Sequence, residues 1–283
     1  MKRKIPFFFF FIVLLSLTHA QNIQLHYDFG RHLYQNQKQN SDNQSGRQTF
    51  TSTVEMFKPD KLGSFFFFTD FDYSFQKVYG AYWEVSHEFC FWKQSKAKGL
   101  SIHLEYNGGI NRMAGAYNDA WLMGLTYSGH SADYTKTWSI SAMYKIIPNT
   151  ISKDQVFALW NPLAQQHELY PNTQKKDIHN FQITGVWSIE FAHGWCTFSG
   201  FVDFWRESRW FQIPQIEAGT SQFTSGTEYI FLSEPQFWVN FNQIKGWEKI
   251  NLSLGTEIEL SNNFVAKGFY CIPTIALKWD FSK

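Results

Sequence analysis

The sequence predicts an all-β fold: an antiparallel transmembrane β-barrel of about 12 strands behind a cleaved N-terminal signal peptide. Three observations predict it. The chain alternates between an aromatic and a polar face with a period of two. The alternating segments are about ten residues long, the length a tilted strand needs to cross a bilayer. The connections between them sort into short turns on one side and longer loops on the other.

The alternation is plainest in residues 65–75. Phe65, Phe67, Thr69, Phe71, Tyr73 and Phe75 fall on one side, and Phe68, Asp70, Asp72 and Ser74 on the other. Side chains alternate across a strand, so one face is apolar while the other carries two carboxylates; a helix would mix them. The next run repeats this, with Ala81, Trp83, Val85, Phe89 and Phe91 against Tyr82, Glu84, Ser86 and Glu88. His87 falls on the apolar side and breaks the pattern there.

Composition agrees with a barrel. Aromatics make up 19% of 283 residues, with 30 Phe and 12 Trp, yet mean hydropathy is -0.33 and net charge only +1. A polar lumen offsets an aromatic belt, and the absence of a basic patch argues against nucleic acid.

The N-terminus carries Lys2, Arg3 and Lys4, an apolar stretch over residues 7–17, then small residues ending at Ala20. This predicts a secretory signal over residues 1–20 and a barrel domain over residues 21–283. A membrane helix needs about 20 apolar residues, and this stretch is too short. No Cys follows the cleavage point, so no lipid anchor is expected. Cys90, Cys196 and Cys271 are odd in number and have no metal-ligand spacing; Cys196 and Cys271 fall on apolar faces, Cys90 on a polar face near a strand end.

Strands are predicted over residues 23–30, 47–57, 63–75, 80–92, 100–112, 119–130, 137–148, 178–193, 195–208, 227–240, 250–261 and 269–281. Outer loops then span 31–46, 76–79, 113–118, 149–177, 209–226 and 262–268. The loop at 35–46 is polar and free of aromatics, which predicts a solvated segment. The loop at 149–177 holds Val156, Phe157, Leu159, Trp160, Leu163, Leu169 and Tyr170. That is enough apolar surface either to cover the mouth or to form a short helix on the rim. Pro235 and Pro273 lack a ladder donor and predict bulges or strand ends. The last strand puts Ile275, Leu277, Trp279 and Phe281 on its lipid face, closing on an aromatic as substrates of the barrel assembly machinery commonly do.

If apolar faces meet lipid, the lumen receives Asp70, Asp72, Glu84, Glu88, Glu105, Glu190, Asp203, Glu228, Glu234, Glu257 and Glu259, with His103, Lys145, Arg206 and Lys278 as cations. Phe201 and Trp205 flank Asp203, and Trp238 lies near Glu234. An aromatic plane beside hydrogen-bonding groups suits a sugar or nucleobase; the same rings also suit plain filling of a narrow barrel. The expected solute-binding set is Asp70, Asp72, Glu84, Glu88, His103, Glu105, Phe201, Asp203, Trp205, Glu234 and Trp238. No catalytic residue, metal or cofactor is expected. Ser86 and His87 are adjacent and point to opposite faces, so they cannot form a hydrolase pair directly. A barrel protease would need acids and a His at the outer mouth, where Asp72 and Glu84 fall but His103 does not.

Residues 56–60, 65–73, 82–89 (Tyr-Trp-Glu-Val-Ser-His-Glu-Phe) and 120–127 (Ala-Trp-Leu-Met-Gly-Leu-Thr-Tyr) resemble the nucleoside-specific channel-forming (Tsx-like) outer-membrane proteins. They also resemble the DUF5020 branch of small barrels of Bacteroides-type bacteria. The resemblance is clearest over residues 47–145. It implies a twelve-stranded monomeric barrel in the outer membrane of a Gram-negative cell, embedded in lipid and passing nucleosides through a narrow lumen. Asp70, Asp72, Glu84 and Glu88 are its best-aligned lumen positions. The other expectation is a closed barrel serving as an interaction platform through its outer loops.

Overall fold

The computed structural model describes residues 21–30, 49–74, 77–93, 95–111, 115–116, 119–148, 156–161, 166–171, 178–214, 221–264 and 268–281. The predicted signal peptide and the polar loop at 35–46 lie outside them.

Twelve staves form the wall. They are β1 (Gln21–Tyr27), β2 (Phe50–Pro59), β3 (Gly63–Ser74), β4 (Lys77–Phe89), β5 (Leu100–Asn111) and β6 (Ala120–His130). The second half comprises β7 (Lys136–Ile147), β8 (Ile178–Phe191), β9 (Cys196–Pro214), β10 (Ser221–Ser233 resuming at Gln236–Asn240), β11 (Leu252–Asn262) and β12 (Phe269–Pro273 resuming at Ile275–Asp280). Each pairs antiparallel with the next, and β12 pairs back onto β1 through Leu25↔Leu277 and its neighbours. The sheet therefore closes on itself and leaves no edge, which satisfies every strand's backbone inside a membrane.

The two prolines interrupt the ladder without shifting it. On either side of Pro235 the pairs Val202↔Ser233 and Ser199↔Gln236 keep one alignment, and β11 and β12 do likewise on either side of Thr274. The missing N–H of proline removes one bond while the side-chain alternation carries on. The one register shift recorded in β3–β4 lies between Asp72 and Tyr73, beside the outer end of that hairpin.

The outer surface is apolar. Trp121, Met123, Leu125 and Tyr127 of β6 are all more than half exposed, and Ile275, Leu277 and Trp279 of β12 continue the belt. Such residues meet lipid in a transmembrane barrel. Trp195, Trp247 and Trp279 lie at the end where the short turns are, the place an aromatic girdle occupies.

Tryptophans also cover glycines across strands. Trp83 faces Gly108, Trp138 faces Gly129, Trp187 faces Gly200 and Trp238 faces Gly255. A Cβ on Gly129 would come within 2.5 Å of the Trp138 ring, and one on Gly255 within 2.4 Å of Trp238. The missing side chain makes room for the indole to lie flat on the partner strand.

Two outer segments differ from expectation. Residues 156–161 and 166–171, inside the predicted 149–177 loop, form an antiparallel hairpin that is a separate two-stranded sheet, not a rim helix. Most of the predicted loop 209–226 is strand: β9 and β10 stay paired out to Pro214↔Ser221, so the hairpin runs well past its predicted ends. Alternation fades in that stretch, and pairing with a neighbouring strand decides what periodicity does not show.

Candidate solute-binding lumen

The inward faces carry polar side chains because each apolar outward residue fixes its neighbours inward. In β1, Asn22, Gln24 and His26 are buried while Ile23 and Leu25 are exposed. Three groups of hydrogen-bonded side chains result.

The first is centred on His103. Its Nδ1 lies 2.6 Å from Glu88 Oε1 and its Nε2 3.0 Å from Glu105 Oε2, both members of the predicted set. Glu88 also accepts from Thr126 Oγ1 at 2.8 Å and from the Ser101 hydroxyl. Thr126 in turn meets Ser141 Oγ at 2.7 Å, so the group reaches from β4 across to β7. Both ring nitrogens face carboxylates, which leaves neither available as a base toward a solute. Beside it, Tyr82 donates to Glu84 Oε1 at 2.6 Å.

The second group joins β7, β8 and β9. Lys145 Nζ donates to Gln182 Oε1 at 2.8 Å, Gln182 Nε2 to Thr184 Oγ1 at 3.1 Å, and Thr184 Oγ1 to Asp203 Oδ1 at 2.5 Å. The Lys145 ammonium sits 4.6 Å from the centre of the Trp205 ring, a cation–π contact. Glu84 on β4 interacts electrostatically with Glu105, Asp203 and Lys145, so these two groups face each other across a narrow lumen.

The third is a chain around the seam where the barrel closes. Trp238 Nε1 donates to Gln236 Oε1 at 3.0 Å, and Gln236 Nε2 to Glu257 Oε2 at 2.7 Å. Glu257 lies 3.8 Å from His26, which contacts Gln24; Gln24 donates to Asn22, and Asn22 to Glu55. Thr51 and Thr53 donate to Asp72 and Asp70 from the neighbouring strand. Trp238 is wholly enclosed, and the Lys278 ammonium lies 4.3 Å from its ring centre. That ring face is taken by the chain's own cation.

The lumen is not polar throughout. Trp205, Ile230 and Leu232 pack inward with Phe201 and Phe264 against them, and Ala120, Leu122, Met143 and Ile147 form a second inward apolar patch. Tyr270 and Ile272 are buried on the same side. Phe264, in the connection after β11, meets Trp205 edge-on at 5.9 Å.

All eleven predicted residues occupy inward-facing positions, with Glu234 at the break before Pro235, where its N–H donates to Phe201 O at 3.1 Å. The structure does not bring them to one point: they divide among the three groups and the apolar cluster. Arg206 is a correction. It is exposed and shares its face with the outward Phe204, because Trp205 and Asp203 take the inward positions of β9. The side chain of Glu228 is outside the described residues. Sequence reasoning passed over Asn22, Gln24 and His26 of β1, although their alternation with Ile23 and Leu25 was available; it also passed over Asn107 and Asn180, which carry no charge to draw notice. Among the described residues, no group of three His, Cys, Asp or Glu is arranged to hold a metal ion.

No curated protein matches the chain. Among the solved structures that resemble it are two weak matches. One, "NanC porin structure in rhombohedral crystal form", shares 7% identity, with 93% of this chain and 99% of that one covered and a TM-score of 0.45. The other, a "Bacterial polysaccharide outer membrane secretin", shares 8% identity, with coverage of 93% and 98% and a TM-score of 0.29. The family described as "Domain of unknown function (DUF5020)" matches residues 20–281, nearly the whole closed barrel, and the chain belongs to that family.

Proposed function

We propose that the protein is an outer-membrane channel through which small polar solutes pass passively, and that nucleoside-like solutes are its class. One observation carries the channel reading: the wall is apolar outside, while its inner face holds three hydrogen-bonded polar groups built from every stave of the seam and most of the opposite wall. Such segregation costs little where the interior is wet and would cost about 2 to 4 kcal/mol per cation at the midplane if it faced lipid. The nucleoside class draws on the sequence resemblance and on the pairing of aromatics with hydrogen-bonding groups at Trp205 and Asp203. The barrel acts as a monomer, inserted by the barrel assembly machinery after export.

The test is conductance of the purified protein in planar bilayers with nucleosides titrated from one side. Small discrete openings that nucleosides block support the reading; silence from a folded sample overturns it. Replacing Asp70 and Asp72 with Asn lowers the cation preference, read as a shift in reversal potential.

A second reading rests on the inward apolar cluster. Phe264 on Trp205, with Ile230 and Leu232 behind it, supports a barrel closed at its long-loop end that works as an interaction platform. The same recording separates the two.

A further inference from the structure

Two inward amides carry unpaired polar atoms. Asn180 is 6% exposed, and neither its Oδ1 nor its Nδ2 makes a hydrogen bond; Asn107 is 5% exposed, and its Oδ1 is likewise unpaired. Buried amide groups are normally satisfied, and an unmet one costs about 1 to 3 kcal/mol. Their positions are related. Asn107 lies directly across the strand pair from Glu84, and Asn180 directly across from Lys145. Glu84 and Lys145 belong to one electrostatic cluster with Glu105 and Asp203. The unpaired amides thus border a single cluster from two sides, and beside Lys145 on the inner wall lie the apolar Met143 and Ile147, which offer Asn180 no hydrogen-bonding partner.

We propose that Glu84, Glu105, Asp203, Lys145, Asn107 and Asn180 form a binding station for a small donor-rich solute, one that carries hydroxyls together with an ammonium group. The chemistry of the station selects this class. Three carboxylates and the two amide oxygens are acceptors, and Lys145 is already directed at Gln182. Asn180 Nδ2 is an unused donor among them. A surplus of acceptors matches a surplus of donors in the solute. An ammonium also relieves the mutual repulsion of Glu84, Glu105 and Asp203, which Lys145, and His103 at 3.0 Å from Glu105, offset only in part at Glu84. A carboxylate-bearing solute meets that repulsion instead. The proposal goes beyond the nucleoside-like class and rests on the channel reading only in needing a solute-accessible inner face.

Three sugars of nearly equal size test it: glucosamine, glucose and glucuronate, titrated by calorimetry at pH 6 into the folded, detergent-solubilised barrel. Glucosamine is expected to bind at least tenfold more tightly than glucuronate, with glucose between them. Equal affinities, no binding of any of the three, or glucuronate as the tightest overturns the station, and this ranking needs no variant. Asn180→Leu and Asn107→Leu keep the side-chain shape and remove its polarity; each is expected to weaken glucosamine on the order of fivefold, the loss of about one hydrogen bond. Folded variants that bind as the wild type does assign the amides no part in it and overturn the proposal. Bilayer silence together with the expected ranking removes the channel reading and leaves the station standing. A conducting channel indifferent to glucosamine does the reverse.

Discussion

His87 Nε2 lies 2.8 Å from Asp60 Oδ2, tying the lower end of β4 to the turn between β2 and β3. The other Asp60 oxygen accepts the backbone N–H groups of Leu62 and Gly63, each at 2.7 Å, so one carboxylate organises the turn and anchors the neighbouring strand. His87 stacks on Phe89 with ring centres 4.1 Å apart. Its place on the apolar face is therefore a rim position, where a polar tip reaches the turn and the ring joins the aromatics.

These contacts, the His87 bond foremost, hold the Asp60 carboxyl below its usual range. Its contribution is present above the ordinary Asp value of about 3.9 and is lost as pH falls through the lower folded value. Asp60→Asn is expected to destabilise the barrel by less than about 1 kcal/mol at pH 6, since the pair is solvent-accessible. Urea unfolding in micelles at pH 6 and pH 3 checks this: the gap between variant and wild type narrows at the lower pH. Asp133 behaves alike in the turn between β6 and β7, where Ser131 and Thr135 bring its carboxyl down to about 2.

Phe264→Ala removes the ring that meets Trp205 and is expected to raise single-channel conductance if the cluster narrows the lumen. Recordings of variant and wild type at equal salt measure it directly. An unchanged conductance shows that the passage runs elsewhere.

Glu88 holds Ser101, His103 and Thr126 together. Glu88→Ala takes one acceptor from each of three neighbours in a half-buried setting, while His103 keeps Glu105 and Thr126 keeps Ser141, with an expected loss of about 1 to 3 kcal/mol. Chemical denaturation followed by tryptophan fluorescence measures it. A loss within about 0.5 kcal/mol, the range of ordinary surface changes, contradicts the assigned geometry.

Gly255→Val places a side chain where Trp238 lies and where the Phe237 carbonyl would be 2.3 Å from its Cβ. Overpacking of this kind costs about 1 to 3 kcal/mol. Both the unfolding midpoint and the Trp238 emission are expected to shift, while Gly246→Ala, with open space around it, leaves the emission of Trp238 unchanged.

The sequence by itself determined the wall. Strict alternation over segments of membrane-crossing length fixes which residues face lipid, because a slip of one residue would turn every Phe and Trp of a strand inward. Strand number, the sidedness of the connections and the inward placement of Asp70, Glu84, His103 and Asp203 all follow from that local rule. The tertiary structure decided what the inward residues do. Whether His103 is held by two carboxylates, whether Lys278 takes the face of Trp238, and whether Asn180 is left unpaired depend on which staves are neighbours and how far each is staggered. A period of two says nothing of stagger. It arises only when the sheet closes and β12 meets β1.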